Sequence, residues 1–208
     1  MNKIICLTVI SLFMTVTLSA QDITLPKPQT KGGMPLREAL NARRTVREFA
    51  PDKTLSSQQL SDLLWAACGV NRPDGRRTSP TAINAQEIDV YVFNKQGVYL
   101  YLAKENKLQL VKKGDYRAST TTQGPALECP LILVYVADPE KFGRLGEADR
   151  QFYCATDVGF VSQNVYLFCA QEGLNTVVMG YVEREKIQTL INRPSCKVQL
   201  IQPVGFPK

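Results

Sequence analysis

Residues 131–137 read Leu-Ile-Leu-Val-Tyr-Val-Ala, seven apolar or aromatic side chains without interruption. Successive side chains of a strand point to opposite faces, so a β-rich run with no polar member has to be covered from both sides. It predicts a central strand at Leu131–Ala137, buried on both faces. The longest helical pattern, Glu147 to Glu172, is a natural cover. Phe152, Ala155, Gly159, Ser162, Tyr166 and Cys169 suit close packing along one face, and Val158, Val161, Val165 and Phe168 thicken the apolar stripe. Gly173 ends it.

The remaining chain alternates helical and extended patterns without a strict strand-helix-strand repeat. Pro35 opens a short helix, Leu36 to Ala42, in the position where a missing N–H costs nothing. Arg43 to Pro51 reads as a loop. Ser56 or Ser57 caps a helix carrying Leu60, Leu63, Leu64 and Ala67, which Gly69 stops. Asn71 to Thr81 is a polar loop with two prolines and a glycine. Strands are expected at Ile88–Phe93, Val98–Leu102 and Lys107–Val111, followed by a short helix around Asp115 to Thr122. Leu174 to Gly180 reads as a short extended segment, Glu183 to Ile191 as a helix and Lys197 to Val204 as a final strand. This order predicts an α+β fold with a central, largely antiparallel sheet flanked by helices.

The first twenty residues have the form of a secretory signal peptide: Lys3, an apolar stretch from Ile4 to Leu18, and small residues at Ser19-Ala20. The protein is therefore expected to be exported, to the periplasm, with no membrane insertion left after cleavage. Residues 21–33, rich in Pro and Gly, read as a flexible leader, and residues 34–208 as a single domain. Of six cysteines, five lie beyond the signal peptide, widely spaced, and no histidine occurs anywhere. A metal site is not supported, and hydrolases built on a Ser-His-Asp or Cys-His arrangement are excluded. Cys154 and Cys169 fall in an apolar helical pattern and read as buried free thiols. The formal net charge of +6 suits an anionic ligand such as a phosphate ester. No basic run interleaved with aromatics points to nucleic acid.

Arg43, Arg44, Thr45 and Arg47 place three guanidiniums and a hydroxyl within five residues. Arginine forks match phosphate oxygens, although such a cluster is more often a solvated face. Three further stretches follow in order. They are Ser79-Pro80-Thr81-Ala82-Ile83-Asn84-Ala85-Gln86, then Asp157-Val158-Gly159 with Gln163-Asn164 and Gly173-Leu174, and finally Asn175 to Gly180 with Pro203-Val204-Gly205-Phe206-Pro207. Together they resemble the signatures of the nitroreductase family over residues 34 to 207: an R-R/H-S/T-x-R/K segment, S-x-x-N-x-Q, a D-x-G-x-x-x-Q-N helix leading into G-L-x-T, and closing strands.

The resemblance implies a nitroreductase-like fold, an FMN cofactor and a homodimer with the flavin site between subunits. Arg43, Arg44 and Thr45 would contact the ribityl phosphate. Arg47 would lie near flavin N1 and O2, and Asn84 at the ring edge. The backbone of Val177, Val178, Met179 and Gly180 would cover one ring face. Met179 would give the pocket an apolar, thioether lining. The activity implied is ping-pong hydride transfer through flavin N5 to or from a small organic substrate. NAD(P)H is the usual family donor, although export would leave it scarce. The alternative is a non-catalytic FMN-binding or electron-carrier protein of the same fold. No residue is assigned a nucleophilic or acid-base role. Asp157 and Asn164 are read as structural, and Arg76 and Arg77 as solvated by default. The chain also stops just after its last strand, without the carboxyl-terminal arm and late basic residues of many family members.

Overall fold

The structure, a computed structural model, describes residues 21–208; the signal peptide expected over residues 1–20 lies outside the described residues. Among these residues, seven strands form one sheet: β1 (Ile23–Thr24), β2 (Ile88–Asn94), β3 (Gly97–Leu102), β4 (Lys107–Lys113), β5 (Leu131–Ala137), β6 (Asn175–Thr176) and β7 (Lys197–Gly205). Their order is β1-β4-β3-β2-β5-β7-β6, and every pairing is antiparallel. The expected α+β class with a central antiparallel sheet is what forms.

Strand β5 explains its own composition. It pairs along its whole length with β2 on one side and β7 on the other. Leu131, Leu133, Tyr135 and Ala137 enter a core shared with helices α2 (Ser57–Cys68) and α4 (Glu147–Glu172). Ile132, Val134 and Val136 face the opposite way, into a second core with Phe49, Ala126 of the short helix α3 (Gly124–Leu127), and Ile187 and Ile191 of α5 (Arg184–Ile191). Burial of both faces makes a three-layer domain. The helix α1 (Leu36–Ala42) packs on α4 at the edge of the first layer.

The helix ends follow local rules. Ser56 caps α2 in a reciprocal box with Gln59. Gly173, at φ 64°, supplies the left-handed residue that terminates α4. Glu147 and Asp149 sit in the first turn of α4, where the helix dipole favours negative charge.

Three sequence expectations need correction. The segment expected to be a flexible leader, residues 21–33, belongs to the domain. Ile23 and Thr24 pair with Leu108 and Lys107, Asp22 forms an ion pair with Lys107 at 2.7 Å, and Leu25 is buried. Its polar composition concealed a strand too short to show alternation. The helix expected around 115–122 is only a 3-10 turn, Arg117–Ser119. On α4 the stripe from Phe152 to Cys169 is split. Ser162, Tyr166 and Cys169 are buried, whereas Phe152, Ala155 and Gly159 face outward.

The carboxyl-terminal strand also pins the Arg43–Pro51 segment. Ala50 N–H donates to the Phe206 carbonyl at 2.9 Å. A Cβ at Gly205 would fall 2.5 Å from Pro130 Cδ and 3.2 Å from Phe49 Cδ1. Gly205→Ala should therefore destabilise the fold by about 1–3 kcal/mol through overpacking, read from the urea midpoint. An unchanged midpoint would show that this junction tolerates a methyl group.

Candidate functional site

The arginine cluster begins where α1 ends. Arg43 is the C-cap of α1, and its guanidinium lies over the Tyr166 ring, 5.3 Å from the centroid, in cation–π geometry. From there the chain runs extended beside β6. Val46 N–H donates to the Thr176 carbonyl at 3.0 Å, and Asn175 Nδ2 donates to the Glu48 carbonyl at 2.7 Å. Arg44 and Arg47 are exposed. Among the described residues none of the three arginines joins a salt bridge. Arg44 borders a small cavity of about 180 Å³ with Tyr166, Cys169 and Asn175.

Tyr166 joins this segment to the stretch after β6. Its hydroxyl accepts from Val178 N–H at 2.9 Å and lies 3.0 Å from Thr45 Oγ1. A phenol has one proton, and with Val178 donating inward that proton is free for Thr45. Arg43, Thr45, Tyr166 and Val178 thus form one connected unit on the carboxyl-terminal half of α4. Val178 is half-buried and Gly180 exposed, so backbone is open to the outside here. Val177 and Met179 point into the second core. Met179 also pairs with Ile201 by two backbone hydrogen bonds, 2.8 and 3.1 Å. The apolar thioether lining expected from Met179 therefore does not form; that side chain belongs to the core. Sequence reading placed Tyr166 only as a packing residue, because a tyrosine in an apolar stripe gives no sign of where its hydroxyl goes.

Asn84 stands elsewhere. It ends a 3-10 turn, Ala82–Asn84, whose Ala82 N–H donates to Asp157 Oδ2 at 2.8 Å. Asp157 and Tyr166 are nine positions apart on α4, about 13 Å of axial rise. Within one chain, then, Arg43, Thr45 and Val178 are brought together and Asn84 is not. The Asn84 turn is strained: Ile83, Asn84 and Gln86 have φ of 48°, 57° and 52°. A β-branched residue in the left-handed region is a marked outlier. Thr81 Oγ1 accepting from Gln86 N–H, and the Asp157 anchor, hold the turn in place.

Beneath this turn lies Glu87, fully buried at 0 % exposure, with neither carboxyl oxygen hydrogen-bonded. Burial pushes its carboxyl up to about 7, and the neighbouring Asp157 carboxylate pushes the same way, against a pull downward from its own backbone amide and a weaker one from Lys141. Nothing in the sequence marks Glu87, which reads as a polar residue before a strand.

The family assignment follows from comparison with known proteins. The sequence profile described as the nitroreductase family matches residues 40–206. The chain belongs to the nitroreductase family. It is 31% identical over 183 residues to a protein of Methanocaldococcus jannaschii provisionally named a nitroreductase, covering 82% of this chain and 90% of that one. A solved structure provisionally named a nitroreductase, from Ralstonia eutropha, superposes with a TM-score of 0.86 at 36% identity, over 93% of this chain and 92% of that one. A Staphylococcus epidermidis structure provisionally named an NAD(P)H:FMN oxidoreductase shares the fold, with a TM-score of 0.63 at 13% identity, over 87% of this chain and 91% of that one.

A nitroreductase-family chain is a flavin-linked oxidoreductase, and this one carries no histidine. Among the described residues the cysteines do not supply a nucleophile either. Cys68, Cys129, Cys154, Cys169 and Cys196 are all buried and unpaired, and burial pushes the Cys68 and Cys154 thiols up to about 11 and about 12. A thiol held that high is protonated at neutral pH and inert.

Two outcomes are expected. Tyr166→Phe leaves Val178 N–H without its partner and should cost about 1–3 kcal/mol of stability, seen in thermal or urea unfolding; wild-type stability would show that the Thr45–Val178 link contributes nothing. For Glu87, the folded pKa near 7 lies above the unfolded value near 4.5. Its stabilising proton is fully present below about pH 4.5, and that contribution falls as pH rises to about 7, then levels off. Glu87→Gln should flatten this fall and leave the protein more stable than wild type at pH 8. Parallel pH–stability curves for variant and wild type would rule the effect out.

Proposed function

We propose that this protein is an FMN-dependent oxidoreductase of nitroreductase type, transferring a hydride to or from a small organic substrate in two half-reactions. The observation that carries this reading is the Tyr166 unit. It holds Arg43 and Thr45 beside a stretch of accessible backbone, and Arg44 and Arg47 stand exposed on the same segment, without carboxylate partners among the described residues. That donor set fits FMN: guanidiniums and the Thr45 hydroxyl suit a phosphate monoester, and the open backbone around Val178 and Gly180 suits a planar ring. When bound, FMN supplies the hydride chemistry. The chain's residues bind and orient. Arg43 and Arg44 with Thr45 would hold the phosphate, Arg47 would set positive charge beside the flavin ring, and Val177 to Gly180 would cover one ring face.

The Asn84 turn is anchored through Asp157 about 13 Å along α4 from Tyr166, too far to complete the same site in one chain, and a second copy resolves this. The outward side of α4 presents Phe152 at 65% and Phe160 at 43% exposure, beside exposed Leu36 and Leu40 of α1 and Ile83 of the strained turn. Exposed apolar groups of this size on neighbouring elements suit burial against a symmetric partner. The functional unit is accordingly a homodimer in which the Asn84 turn of one subunit meets the arginine unit of the other. With export as the sequence suggests, the electron donor is another exported redox protein or a small reductant rather than NAD(P)H.

Two experiments test this. Flavin-fluorescence titration of Arg43→Ala/Arg47→Ala should show FMN affinity at least tenfold weaker, because each charge-assisted contact contributes about 1.5–3 kcal/mol. Unchanged affinity would move the cofactor away from this segment. In analytical ultracentrifugation, Phe152→Glu/Phe160→Glu should sediment as a monomer and bind FMN poorly, whereas a dimer in that variant would remove the composite site. A protein that holds FMN yet turns over no donor or acceptor would be the non-catalytic carrier.

A further inference from the structure

The loop before the Asn84 turn encloses a cleft of about 390 Å³, separate from the Arg43–Arg47 unit. Three arginines surround it, Arg72, Arg76 and Arg77, together with Ser79, Ile83 and Asn84, and no acidic side chain lines it. The volume is within the range of small-molecule sites, roughly 300–1,000 Å³.

Two of these arginines, Arg72 and Arg76, are held weakly enough to take a ligand. Arg77 is committed to the fold by one Nη, which donates to the Ile88 carbonyl at 3.2 Å, while its buried Nε has no partner. Ser79, 4% exposed, likewise has an unpartnered hydroxyl. Arg72 is exposed and held by Asn71 Oδ1 at 3.0 Å and, more loosely, by the Arg77 carbonyl at 3.4 Å. Arg76 has only Asp74 at 3.5 Å, with both side chains more than half exposed. Such an exposed pair contributes little and exchanges readily for a better anion. Ile83 gives the rim an apolar edge at 71% exposure, so strain in the turn holds a large hydrophobe in the open beside the guanidiniums.

We propose that this cleft binds a small organic acid, with Arg72 and Arg76 taking its carboxylate and Ile83 its apolar body. In the homodimer proposed above the cleft adjoins Asn84, which makes the organic acid the redox substrate. That second step rests on the FMN reading, whereas carboxylate binding by the cleft does not. The same guanidiniums suit an FMN phosphate, so the test has to separate the two anions.

The test is calorimetric titration of the full-length, FMN-loaded protein with benzoate and with benzamide, its neutral counterpart, alongside FMN titration of the flavin-stripped protein. Arg72→Gln/Arg76→Gln alters exposed side chains, removes the long Arg72 contact to the Arg77 carbonyl, and leaves the loop's backbone–backbone bonds in place. Benzoate is expected to bind at least tenfold more tightly than benzamide, and more weakly as salt rises. The variant should lose benzoate binding at least tenfold and keep wild-type FMN affinity. Equal binding of benzoate and benzamide, or full benzoate binding by the variant, overturns the proposal. Loss of FMN affinity in the variant overturns it too, by making the cleft a phosphate site. Charge-dependent benzoate binding to a protein that takes up no FMN would uphold the cleft and sink the FMN reading instead.

Discussion

The Tyr166 hydroxyl is the contact on which the candidate site depends. Thr45 arrives from the end of α1 and Val178 from the stretch after β6, two segments more than a hundred residues apart in sequence. Their common anchor is one side chain on a helix that is itself fixed by the apolar run of β5. The chain of causes is short. A strand with two dry faces requires helices on both sides, the long helix supplies one cover, and the tyrosine near its carboxyl-terminal end gathers the loops that cross that edge. Arg43, stacked over the same ring, keeps its charge at this junction.

The amino-terminal half of the same helix supports a different feature. Asp157 holds the Asn84 turn in a conformation that three non-glycine residues adopt at a cost on the order of 1–3 kcal/mol each. Directly below it, Glu87 is a buried carboxyl without a hydrogen bond. Strain and unsatisfied polarity are concentrated here; among the described residues no strand carries a positive φ or an unpartnered buried side-chain atom. Such concentration is characteristic of functional turns, because a relaxed turn would not project Ile83 and Asn84 outward.

Most of the fold could be read from the sequence because its elements obey single-residue rules. The bounds expected for α1, β5 and α4 coincide with those observed, set by Pro35, by the unbroken run at 131–137 and by Gly173. Failures occurred where tertiary pairing outweighs local pattern. Ile23–Thr24 is a strand only because β4 is there to receive it, and the outward face of α4 carries Phe152, which periodicity alone assigns to the interior. The arginine segment was visible as a charge cluster. Its partner Tyr166, the core position of Met179 and the separation of Asn84 from the cluster depend on three-dimensional proximity, which no spacing rule reports.

The central claim is that the described domain holds FMN. The most direct measurement is the visible absorption spectrum of purified protein mixed with FMN and then desalted. Flavin absorption that travels with the protein at one equivalent per subunit is the predicted result. A colourless protein fraction, with all flavin recovered in the salt fraction, would contradict the account and leave only the fold standing.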